Sequence, residues 1–422
     1  MKMKKHIVII GGGFAGINLA NSIANVTLFD ITLVDKNNYN FFPPLIYQVA
    51  TGFLETSSIA YPFRKIFKGK KNIHFWLGEF LEVLPNENKL ILSNGELSYD
   101  YLVFATGTET NYFGMENVKK NAIPMKTLDD ALNMRNILLQ RIEKATITKN
   151  KAEKKKLLTM VVAGGGPTGV EVSGMFAEMS KTIIQKEYPE LAKLGKTEIY
   201  LVDGGKTLLA PMSEKSQKYT YQSLERLGVQ IKLNTQVIDY DGEKVSFKDG
   251  TYIKTKNLIW AAGVSAMIFK GIPIECYGKA KRLMVDEHNK IKGTDNIYAI
   301  GDTCIMESID KKFSLGHPQV AQVAIQQGKN LAYNLIALNS NKTQKSFIYN
   351  DKGSMAIIGR AKAVADIPNS KIHFNGFLAW IMWLFIHIMS LINYRNRLKT
   401  LYNWSVAYFT KDQSLRMIVR PK

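Results

Sequence analysis

Cysteine is scarce in this chain, with only Cys276 and Cys304 among 422 residues. Two cysteines cannot build a disulfide framework or a multi-cysteine metal site, and they are too far apart in sequence for a closely spaced redox pair. Acidic residues are also few: 36 Asp and Glu stand against 56 Lys and Arg, a formal net charge of +20. So basic a chain favours an anionic partner, which leaves nucleic acid, acidic lipid and acidic protein as candidates.

A long hydrophobic run is also missing. Residues 7–10 form an apolar run of four, whereas a secretory signal needs about 7–15, so a buried strand is expected there. Residues 376–392 are seventeen uncharged residues, short of the ~20 needed to span a bilayer. The composition, 46% hydrophobic and 22% charged, is that of a globular protein, and the length predicts two or three domains.

A glycine-rich turn follows the first predicted strand. Gly11, Gly13 and Gly16 form a G-x-G-x-x-G motif between residues 7–10 and a predicted helix. Asp35 follows the next strand, nineteen residues past Gly16, where an acid would hydrogen-bond a ribose hydroxyl. Strand, glycine turn, helix and acid together predict a dinucleotide-binding unit, with the pyrophosphate at the helix N-terminus.

The same device occurs again after a predicted strand at residues 157–163. Gly164, Gly166 and Gly169 form the turn, and Asp203 is the next acid after a strand, thirty-four residues past Gly169. The extra length is a charged insert, residues 181–196, expected to be an extended helix and a loop containing Pro189. An acid at the ribose position repels a 2′-phosphate, so NAD is preferred to NADP.

Two such turns in one chain imply two cofactors, and the physically sensible pair is a tightly held flavin and an exchanging nicotinamide. Three further predicted strands end in short turns that fit this arrangement, although each could equally be a plain buried strand. The residues in those turns are Ala105, Thr106 and Gly107, then Ala262 and Gly263, and finally Asp302.

The order of the motifs ATG, GGGPTGVE, WAAG and GD resembles the two-dinucleotide-binding-domain flavoproteins. Residues 40–50, residues 321–326 and the Trp-rich tail extend the match to nearly the whole chain. The chain is most similar to type II NADH dehydrogenases, the single-subunit, non-pumping NADH:quinone oxidoreductases. Asp203 stands where many relatives have glutamate. The scarcity of cysteine disfavours the disulfide reductases and sulfide:quinone oxidoreductases of the same superfamily, and Cys304 is expected to be a small buried side chain.

The resemblance implies a role for each candidate residue. It places FAD, tightly but non-covalently bound, against Gly11, Gly13, Phe14, Ala15, Gly16, Asp35, Ala105, Thr106, Gly107, Asp302, Ala321 and Gln322. It places NADH, the substrate, against Gly164, Gly166, Pro167, Thr168, Gly169, Glu171, Asp203, Ala262 and Gly263. It assigns the quinone to Ala321, Gln322, Gln326 and Pro44, and catalytic roles to Glu171, Gln322 and Gln326.

Two of these assignments also have a reading from the residues alone. Gln322 and Gln326 are four apart on a helix predicted to start at His317, so their amides share one face. The resemblance implies that these amides could donate to a quinone carbonyl. The alternative is a pair of surface glutamines. Glu171 lies near the start of the helix after the second turn, where the alternative is a first-turn charge opposite the helix dipole.

The tail indicates where the protein works. Trp380, Trp383, His387 and Ser390, continued by Tyr394 and Arg397, have the spacing of one helical stripe. Residues 371–422 contain eight Lys or Arg and one acid. Aromatic-apolar helices with basic flanks are typical of segments that lie in an anionic membrane surface, and a dimer interface is the alternative. The basic stretch at 141–156 has no interleaved aromatic residue and is expected to be a solvated helix end or loop, so no nucleic-acid partner is expected.

Together these observations predict an α/β fold with two Rossmann-type domains and a C-terminal amphipathic membrane segment. Residues 1–115 and 285–345 would bind FAD, residues 116–284 would bind NADH, and residues 346–422 would associate with the membrane. The predicted function is NADH:quinone oxidation-reduction in the respiratory chain, without proton pumping, at the cytoplasmic face of the cell membrane. The alternatives are a soluble NADH-dependent reductase of a ferredoxin-like partner and a flavoprotein binding or signalling module.

Overall fold

The computed structural model describes residues 3–193, 197–307, 313–368, 372–410 and 416–419. The chain divides into two compact units. Unit 1 comprises Met1–Phe41, Tyr61–Glu109 and Val264–Asp351, and unit 2 comprises Phe42–Ala60, Thr110–Gly263 and Lys352–Lys422. The finer three-part boundaries stay a prediction.

Twenty-five strands lie in the described part of the chain. They are β1 Lys5–Ile10, β2 Phe29–Asp35, β3 Tyr39–Phe41, β4 Ala60–Pro62, β5 Ile73–Leu77, β6 Phe80–Leu84, β7 Lys89–Leu92, β8 Gly95–Ser98, β9 Tyr101–Phe104, β10 Glu109–Thr110, β11 Ile123–Pro124, β12 Met160–Ala163, β13 Ile199–Val202, β14 Val229–Lys232, β15 Val237–Tyr240, β16 Lys244–Phe247, β17 Tyr252–Lys254, β18 Asn257–Trp260, β19 Val264–Ser265, β20 Leu283–Val285, β21 Ile297–Ala299, β22 Cys304–Met306, β23 Ser354–Gly359, β24 Lys362–Asp366 and β25 His373–Asn375.

Fourteen α-helices lie in the same described ranges. They are α1 Phe14–Ser22, α2 Ile46–Ala50, α3 Thr56–Ile59, α4 Phe63–Ile66, α5 Glu116–Asn121, α6 Leu128–Ile147, α7 Lys151–Leu158, α8 Pro167–Met179, α9 Gln185–Glu187, α10 Pro189–Ala192, α11 Glu214–Leu227, α12 Ala321–Asn339, α13 Gly376–Ser390 and α14 Tyr394–Thr410. A π-helical turn, Ser180–Ile184, follows α8.

Unit 1 is built on a five-stranded parallel sheet in the order β21-β9-β1-β2-β5. The central strand β1 is apolar on both sides because both faces of the sheet are covered. Ile7 and Ile9 pack into the core formed with α1 and α12, whereas Val8 and Ile10 pack into the core on the opposite face. The strands β6, β7 and β8 form a separate antiparallel sheet of this unit.

Unit 2 repeats the plan with a parallel sheet in the order β11-β18-β12-β13-β14. Its longest helix, α6, starts at a capping box in which the Thr127 hydroxyl accepts the Asp130 amide and the Asp130 carboxylate accepts the Thr127 amide. Helix α8 lies very close to β23. A Cβ on Gly174 would be only 1.7 Å from the carbonyl oxygen of Ile358, so only glycine allows this approach. The observed fold is thus the predicted α/β fold with two Rossmann-type sheets.

Several element boundaries differ from the sequence prediction. Residues 157–158 end α7, and the strand before the second glycine turn begins only at Met160. Pro189 begins a helix, α10, instead of lying in a loop, which agrees with the preference of proline for the first helical position. The helix predicted from His317 begins at Ala321, because Val320 is in an extended conformation.

The basic stretch at 141–156 is mostly helical, covering the end of α6 and most of α7. Arg141 is half-buried and donates to Asn257 Oδ1 at 3.0 Å, so it supports the fold instead of facing solvent. Lys156 pairs with Glu153 and Glu243 at the surface. The prediction of a solvated end or loop is therefore wrong for Arg141.

The tail forms two helices, α13 and α14, where the sequence predicted one continuous stripe. Helix α13 ends at Ser390, and Leu391 adopts an extended conformation. Tyr394 and Arg397 therefore belong to α14 and do not continue the stripe of α13. Within the described ranges, no helix combines the length and apolarity that crossing a bilayer requires.

Candidate active site

The first glycine turn connects β1 to α1 in unit 1. Gly11 has a φ of +100°, and a Cβ on it would lie 2.5 Å from the carbonyl oxygen of Ala105. A Cβ on Gly16 would lie 1.9 Å from the carbonyl oxygen of Gly11. Neither position tolerates a side chain, so these two glycines allow the tight turn and the close contact of helix and strand that a dinucleotide fold needs.

Gly13 borders open space instead. It precedes Phe14 and Ala15 at the N-terminus of α1, and a Cβ on it would meet no atom within 4 Å. The first turn of a helix has amides without intrahelical acceptors, and it is the positive end of the helix dipole. An open cradle of this kind fits the pyrophosphate of a dinucleotide.

Asp35 lies at the end of β2, beside the turn. Its Oδ2 accepts the Gly12 amide at 2.7 Å, and its Oδ1 accepts the Asn37 amide at 2.8 Å. Burial raises the pKa of Asp35, and these two amides oppose that effect. Each carboxylate oxygen retains a lone pair, so Asp35 can still accept a hydrogen bond from a ribose hydroxyl.

Two residues that the sequence analysis did not assign support this turn from behind. Asn40 donates its side-chain amide to the carbonyl oxygen of Gly12 at 2.6 Å. The ring of Phe63 would lie 2.1 Å from a Cβ on Gly12. Neither residue belongs to the glycine motif, and only the folded chain brings them to it.

The other FAD candidates of unit 1 follow β9 and β21, the strands beside β1. Ala105, Thr106 and Gly107 come directly after β9, and Asp302 lies in the 3₁₀ turn after β21. The carboxyl ends of these parallel strands therefore meet at one edge of the sheet, which is where ligands bind in such folds. Thr106 Oγ1 donates to Thr303 Oγ1 at 3.3 Å, so the two turns are in contact.

Gln327 is a residue of this edge that the sequence analysis missed. Its Oε1 accepts the Gly301 amide at 2.7 Å, and its side chain is buried. It fixes the turn that carries Asp302. Its neighbour Gln326, which was singled out, faces a different way. No local sequence signal separates the two glutamines, because only the orientation of α12 decides which one is buried.

Gln322 and Gln326 do share one face of α12, as their spacing predicted. The Tyr349 hydroxyl donates to Gln322 Oε1 at 3.4 Å. Gln326 binds the backbone of Asn350 through both ends of its amide, at 2.9 and 3.0 Å. Both side chains therefore face residues 349–350 of the same unit, at the start of the helix that Ala321 begins. Their assignment to a quinone stays a prediction.

The second glycine turn has nearly the same geometry in unit 2. Gly164 has a φ of +114°, and a Cβ on it would lie 2.3 Å from the carbonyl oxygen of Ala261. A Cβ on Gly169 would lie 1.8 Å from the carbonyl oxygen of Gly164. Gly166 borders open space and precedes α8, whose first residues are Pro167 and Thr168. This turn therefore offers a second cradle for a dinucleotide.

Asp203 lies beside the second turn in the same way that Asp35 lies beside the first. Its Oδ2 accepts the Gly165 amide, and its Oδ1 accepts the Gly205 amide, both at 2.5 Å. The long interval from Gly169 does not displace it, because the extra residues form the π-helical turn, α9 and α10 before β13 returns to the sheet. Ala262 and Gly263 follow β18, the other neighbour of β12.

Glu171 is buried inside unit 2. It lies beyond the first turn of α8, which contains no acidic residue, so the alternative of a first-turn charge is wrong. Burial raises the pKa of Glu171 well above its usual value, and the amide of Ile357 opposes the effect. Burial also raises the pKa of Tyr47, and Glu171 contributes to that shift.

Tyr47 belongs to a hydrogen-bonded chain that the sequence analysis did not foresee. Gln48 donates to the Tyr47 hydroxyl at 2.9 Å, and Trp404 Nε1 donates to Gln48 Oε1 at 2.7 Å. Pro44 lies in the 3₁₀ turn just before α2, which carries Tyr47 and Gln48. Pro44 is thus in unit 2, whereas the other three predicted quinone residues are in unit 1.

The middle of the aromatic and polar stripe of α13, Trp383 and His387, packs against the protein, whereas Ser390 at its end is exposed. Trp383 is fully buried, and its ring stacks on His387 at 3.9 Å between centroids. Burial lowers the pKa of His387 to about 4, so this histidine is neutral at physiological pH. The exposed large hydrophobic residues of α13 and α14 are Phe377, Leu378, Ile381, Phe385, Ile386, Met389, Tyr394, Leu398, Leu401, Tyr402, Val406 and Phe409. We call this set the tail face.

The cysteines are buried, as expected. Cys304 is 1% exposed, and burial raises its pKa to about 12, which keeps it as an unreactive thiol. Cys276 is also buried and free. Thiol chemistry at the flavin has no support in these two residues.

Comparison with known proteins agrees with this geometry. Residues 5–328 match the family model described as pyridine nucleotide-disulphide oxidoreductase, and residues 352–412 match the NDH2 C-terminal domain. The type II NADH:quinone oxidoreductase NdhA of Mycobacterium tuberculosis is 35% identical, over 96% of this chain and 87% of that protein.

Solved structures show the same fold. NDH2 of Plasmodium falciparum in complex with NADH has a TM-score of 0.89 at 24% identity, covering 99% of this chain and 100% of that one. The sulfide:quinone oxidoreductase of Aquifex aeolicus has a TM-score of 0.71 at 20% identity, covering 99% and 96%. Proteins that catalyse different reactions therefore share this fold. The match to the NDH2 C-terminal domain and the 35% identity to NdhA, in contrast, are specific to the type II NADH:quinone oxidoreductases. On these grounds the chain belongs to the type II NADH:quinone oxidoreductase family.

Proposed function

We propose that this protein is an FAD-dependent NADH:quinone oxidoreductase of the respiratory chain that pumps no protons. The observation that carries the proposal is the duplicated turn: each unit has its own glycine cradle and its own acid hydrogen-bonded to the turn. One dinucleotide is FAD and the other is NADH. When bound, FAD supplies two-electron chemistry toward both the nicotinamide and the quinone.

The chain contributes chiefly binding and orientation. In unit 1, the turn at Gly11–Gly16 and the carboxylate of Asp35 would hold the pyrophosphate and a ribose of FAD. In unit 2, the matching turn and Asp203 would hold NADH. Because the carboxylate of Asp203 repels a 2′-phosphate, NADH is preferred to NADPH.

Proton supply is the second task of the chain. Reduction of a quinone by NADH takes up one proton from solution, since NADH + H⁺ + quinone gives NAD⁺ + quinol. Burial raises the pKa of Glu171 well above its usual value, which favours the protonated form of its carboxyl group. We assign it the role of holding a proton close to the reacting groups, with Tyr47 as its neighbour.

The acceptor side is assigned to Ala321, Gln322 and Gln326 of unit 1, while the assignment of Pro44, a residue of unit 2, stays a prediction. The amides of the two glutamines would donate to a quinone carbonyl as negative charge develops on its oxygen. The small side chain of Ala321 would let a flat ring approach. Support comes from the common face of Gln322 and Gln326 at the start of α12.

The tail face supports peripheral binding to a membrane, proposed at its cytoplasmic side. Phe385 and Phe409 are 65% and 81% exposed, and exposed apolar area of this extent is typical of an interaction surface. Two nearby basic residues have internal partners: Arg397 donates to the carbonyl oxygen of Met389, and Lys399 pairs with Glu55. Apolar insertion is therefore expected to dominate over attraction to anionic lipid. A homodimer through the same region is the competing use of this surface.

One experiment tests the proposed function directly. The purified protein should contain bound flavin, NADH should bleach it without oxygen, and a soluble quinone should restore the colour at a catalytically competent rate. Bleaching without reoxidation by quinone, together with rapid reduction of a ferredoxin, would favour the soluble reductase. Salt-sensitive DNA binding without quinone turnover would favour the binding module.

A further inference from the structure

The guanidinium of Arg282 joins two segments of unit 1 that lie apart in sequence. Arg282 directly precedes β20, which pairs in parallel with β22, the strand that begins at Cys304. Its Nε donates to the carbonyl oxygen of Cys304 at 2.6 Å, and its Nη2 donates to the carbonyl oxygen of His317 at 3.1 Å. One half-buried side chain therefore holds the start of β22 and the chain around His317 together.

The first of these segments carries an acid assigned to FAD. Cys304 directly follows the 3₁₀ turn Gly301–Thr303, which contains Asp302 and which we call the Asp302 turn. The buried side chain of Gln327 accepts the amide at the start of this turn. Arg282 binds the carbonyl group just after the turn, so the turn is held at both ends.

The second segment, residues 313–320, leads into α12, and we call it the connecting segment. Gly316 packs it against β22, since a Cβ there would lie 2.7 Å from Ile305 Cγ1. Gln319 gives it a further link, because its Nε2 donates to the carbonyl oxygen of Asp302 at 3.1 Å. The connecting segment is thus tied to the Asp302 turn by two side chains, one of which is Arg282.

His317 extends this series of contacts to the acceptor side. It is 2% exposed, and its ring meets the ring of Tyr349 edge-on, with 6.0 Å between centroids. The Tyr349 hydroxyl donates to Gln322 Oε1 at 3.4 Å. Gln322 is therefore held both by the helix that the connecting segment begins and by a ring that packs on that segment.

Arginine suits this position by its shape and by its charge. Nε and Nη2 are donors at fixed angles on one planar group, so they can bind two carbonyl oxygens at once, whereas the ammonium of lysine is a point charge on a flexible stem. Burial lowers the pKa of Arg282, and the carboxylate of Asp302 opposes that effect. Because a free guanidinium has a pKa of about 12.5 or higher, the group stays charged beside Asp302.

We propose that Arg282 is a positioning residue for quinone reduction. It acts through the connecting segment, whose carbonyl group at His317 it holds against the Asp302 turn, and it thereby fixes Gln322 relative to the turn assigned to FAD. A misplacement of about 1 Å can slow an enzymatic reaction on the order of 100-fold, so such a clamp affects the rate. This inference rests on the proposed function, in which Gln322 belongs to the acceptor side.

The kinetic test uses the full-length, flavin-loaded protein and compares Arg282→Lys with Lys281→Gln. The first variant keeps the charge but loses the two-carbonyl bridge, and the second changes the exposed cation beside it. In Arg282→Lys, reoxidation of the flavin by saturating quinone should slow about tenfold, while its reduction by NADH stays within about twofold of the wild type. Lys281→Gln should match the wild type in both half-reactions.

Hydrogen exchange of the oxidised protein gives a second readout, which needs no turnover. In Arg282→Lys, the amides of residues 313–320 should exchange about tenfold faster than in the wild type, because the connecting segment opens more readily after losing a hydrogen bond. The amides of β1 should exchange at the wild-type rate. That comparison separates local release of the segment from general destabilisation.

Gln319→Met tests the same clamp at a half-buried position, since it removes the donor to the Asp302 turn and keeps the size of the side chain. It should slow reoxidation by quinone about threefold and leave reduction by NADH unchanged.

Three outcomes would overturn the inference. Arg282→Lys could slow both half-reactions equally or neither of them. Gln319→Met could keep wild-type reoxidation and wild-type exchange in residues 313–320, a result that counts even where Arg282→Lys fails to fold. A wild-type flavin that NADH reduces but quinone does not reoxidise would overturn the proposed function and this inference with it, so the two failures are distinguishable.

Discussion

The carboxylate of Asp203 accepts a hydrogen bond from the amide of Gly165 at 2.5 Å, and this repeats the bond from Gly12 to Asp35. In both cases the acid lies at the carboxyl end of the next strand after the glycine turn, Asp35 as the last residue of β2 and Asp203 directly after β13, and in both it lies beside the turn. The acid therefore has two tasks, to hold the turn and to face the ribose. Five predictions test the consequences of this and of the neighbouring geometry.

Asp203→Asn should lower kcat/KM for NADH by about tenfold, the loss of roughly 1.4 kcal/mol expected for weakened hydrogen bonds to a charged group. Because the 2′-phosphate is no longer repelled, the preference for NADH over NADPH should shrink. Steady-state kinetics with both nucleotides measure the ratio of the two kcat/KM values. The control is Asp249→Asn, which changes an exposed acid. An unchanged ratio of the two kcat/KM values would contradict the assignment of Asp203.

Replacing a glycine by alanine should have a different effect in each of the two glycine turns. A Cβ on Gly16 would lie 1.9 Å from a backbone oxygen, so Gly16→Ala should lose bound flavin, read from the ratio of absorbance at 450 and 280 nm. A Cβ on Gly169 would lie 1.8 Å from the carbonyl oxygen of Gly164, so Gly169→Ala should keep the flavin and raise KM for NADH at least tenfold. Gly204→Ala, where a Cβ meets no atom within 4 Å, is the control. Flavin loss from the Gly169 variant alone would reverse the two assignments.

Gln322→Ala should slow reoxidation of the flavin by quinone while leaving its reduction by NADH unchanged, because the amide is assigned to the acceptor side. Stopped-flow measurement of the two half-reactions separates them. Tyr349→Phe removes the hydrogen bond to Gln322 but leaves the glutamine in place, so it is the matched control and should behave as the wild type. A slower first half-reaction in Gln322→Ala would show that the residue is misassigned.

Glu171 should make stability depend on pH. Its pKa is raised by burial above 4.5, so the folded state keeps a proton that the unfolded state releases. Its contribution to stability is therefore complete below pH ~4.5 and is lost as pH rises toward the raised folded pKa. Glu171→Gln cannot ionise, so its melting temperature relative to the wild type should increase with pH above 4.5. Parallel melting curves across pH for the two proteins would refute the buried, protonated state.

Membrane binding should depend on the tail face rather than on the tail as a whole. Truncation before residue 371 would also remove Trp404, whose indole donates to the buried Gln48, so loss of binding could reflect unfolding. The double change Phe385→Ser with Phe409→Asp alters only exposed rings and should release the protein from liposomes with its flavin retained. Tyr252→Ser, a 55% exposed ring of unit 2 outside the tail, should leave binding intact. Full retention of the double variant on liposomes would exclude the tail face as the membrane surface.

The two cradles could be predicted because their signals are local. The glycine motif, the apolar strand before it and the acid after the next strand all lie within short stretches of sequence. At Gly11, Gly16, Gly164 and Gly169 the structure shows backbone atoms so close that a Cβ would clash with them, which explains why glycine occupies these positions of the motif. It also resolved the unusual spacing of Asp203, because an insert that returns to the same sheet does not change the register of the strand that follows.

Helical spacing in the tail predicted less than the spacing of the glycine motifs did. Helical spacing identified a stripe with Trp383 and His387, but spacing cannot say whether a stripe faces protein or membrane. The structure buries Trp383, partly buries His387, and exposes apolar residues such as Ile381 and Phe385 instead. The end of α13 at Ser390 was also not predicted, because no proline or glycine accompanies the extended conformation of Leu391.

The sequence by itself determined the family and the two glycine turns, since each depends on residue types at short, fixed spacing. Tertiary structure alone decided which glutamine of α12 is buried and how Trp404 meets Gln48 across 356 positions. The physical reason is that such contacts join residues far apart in the chain. Their energies depend on which faces are packed together, and one sequence read in order does not contain that information.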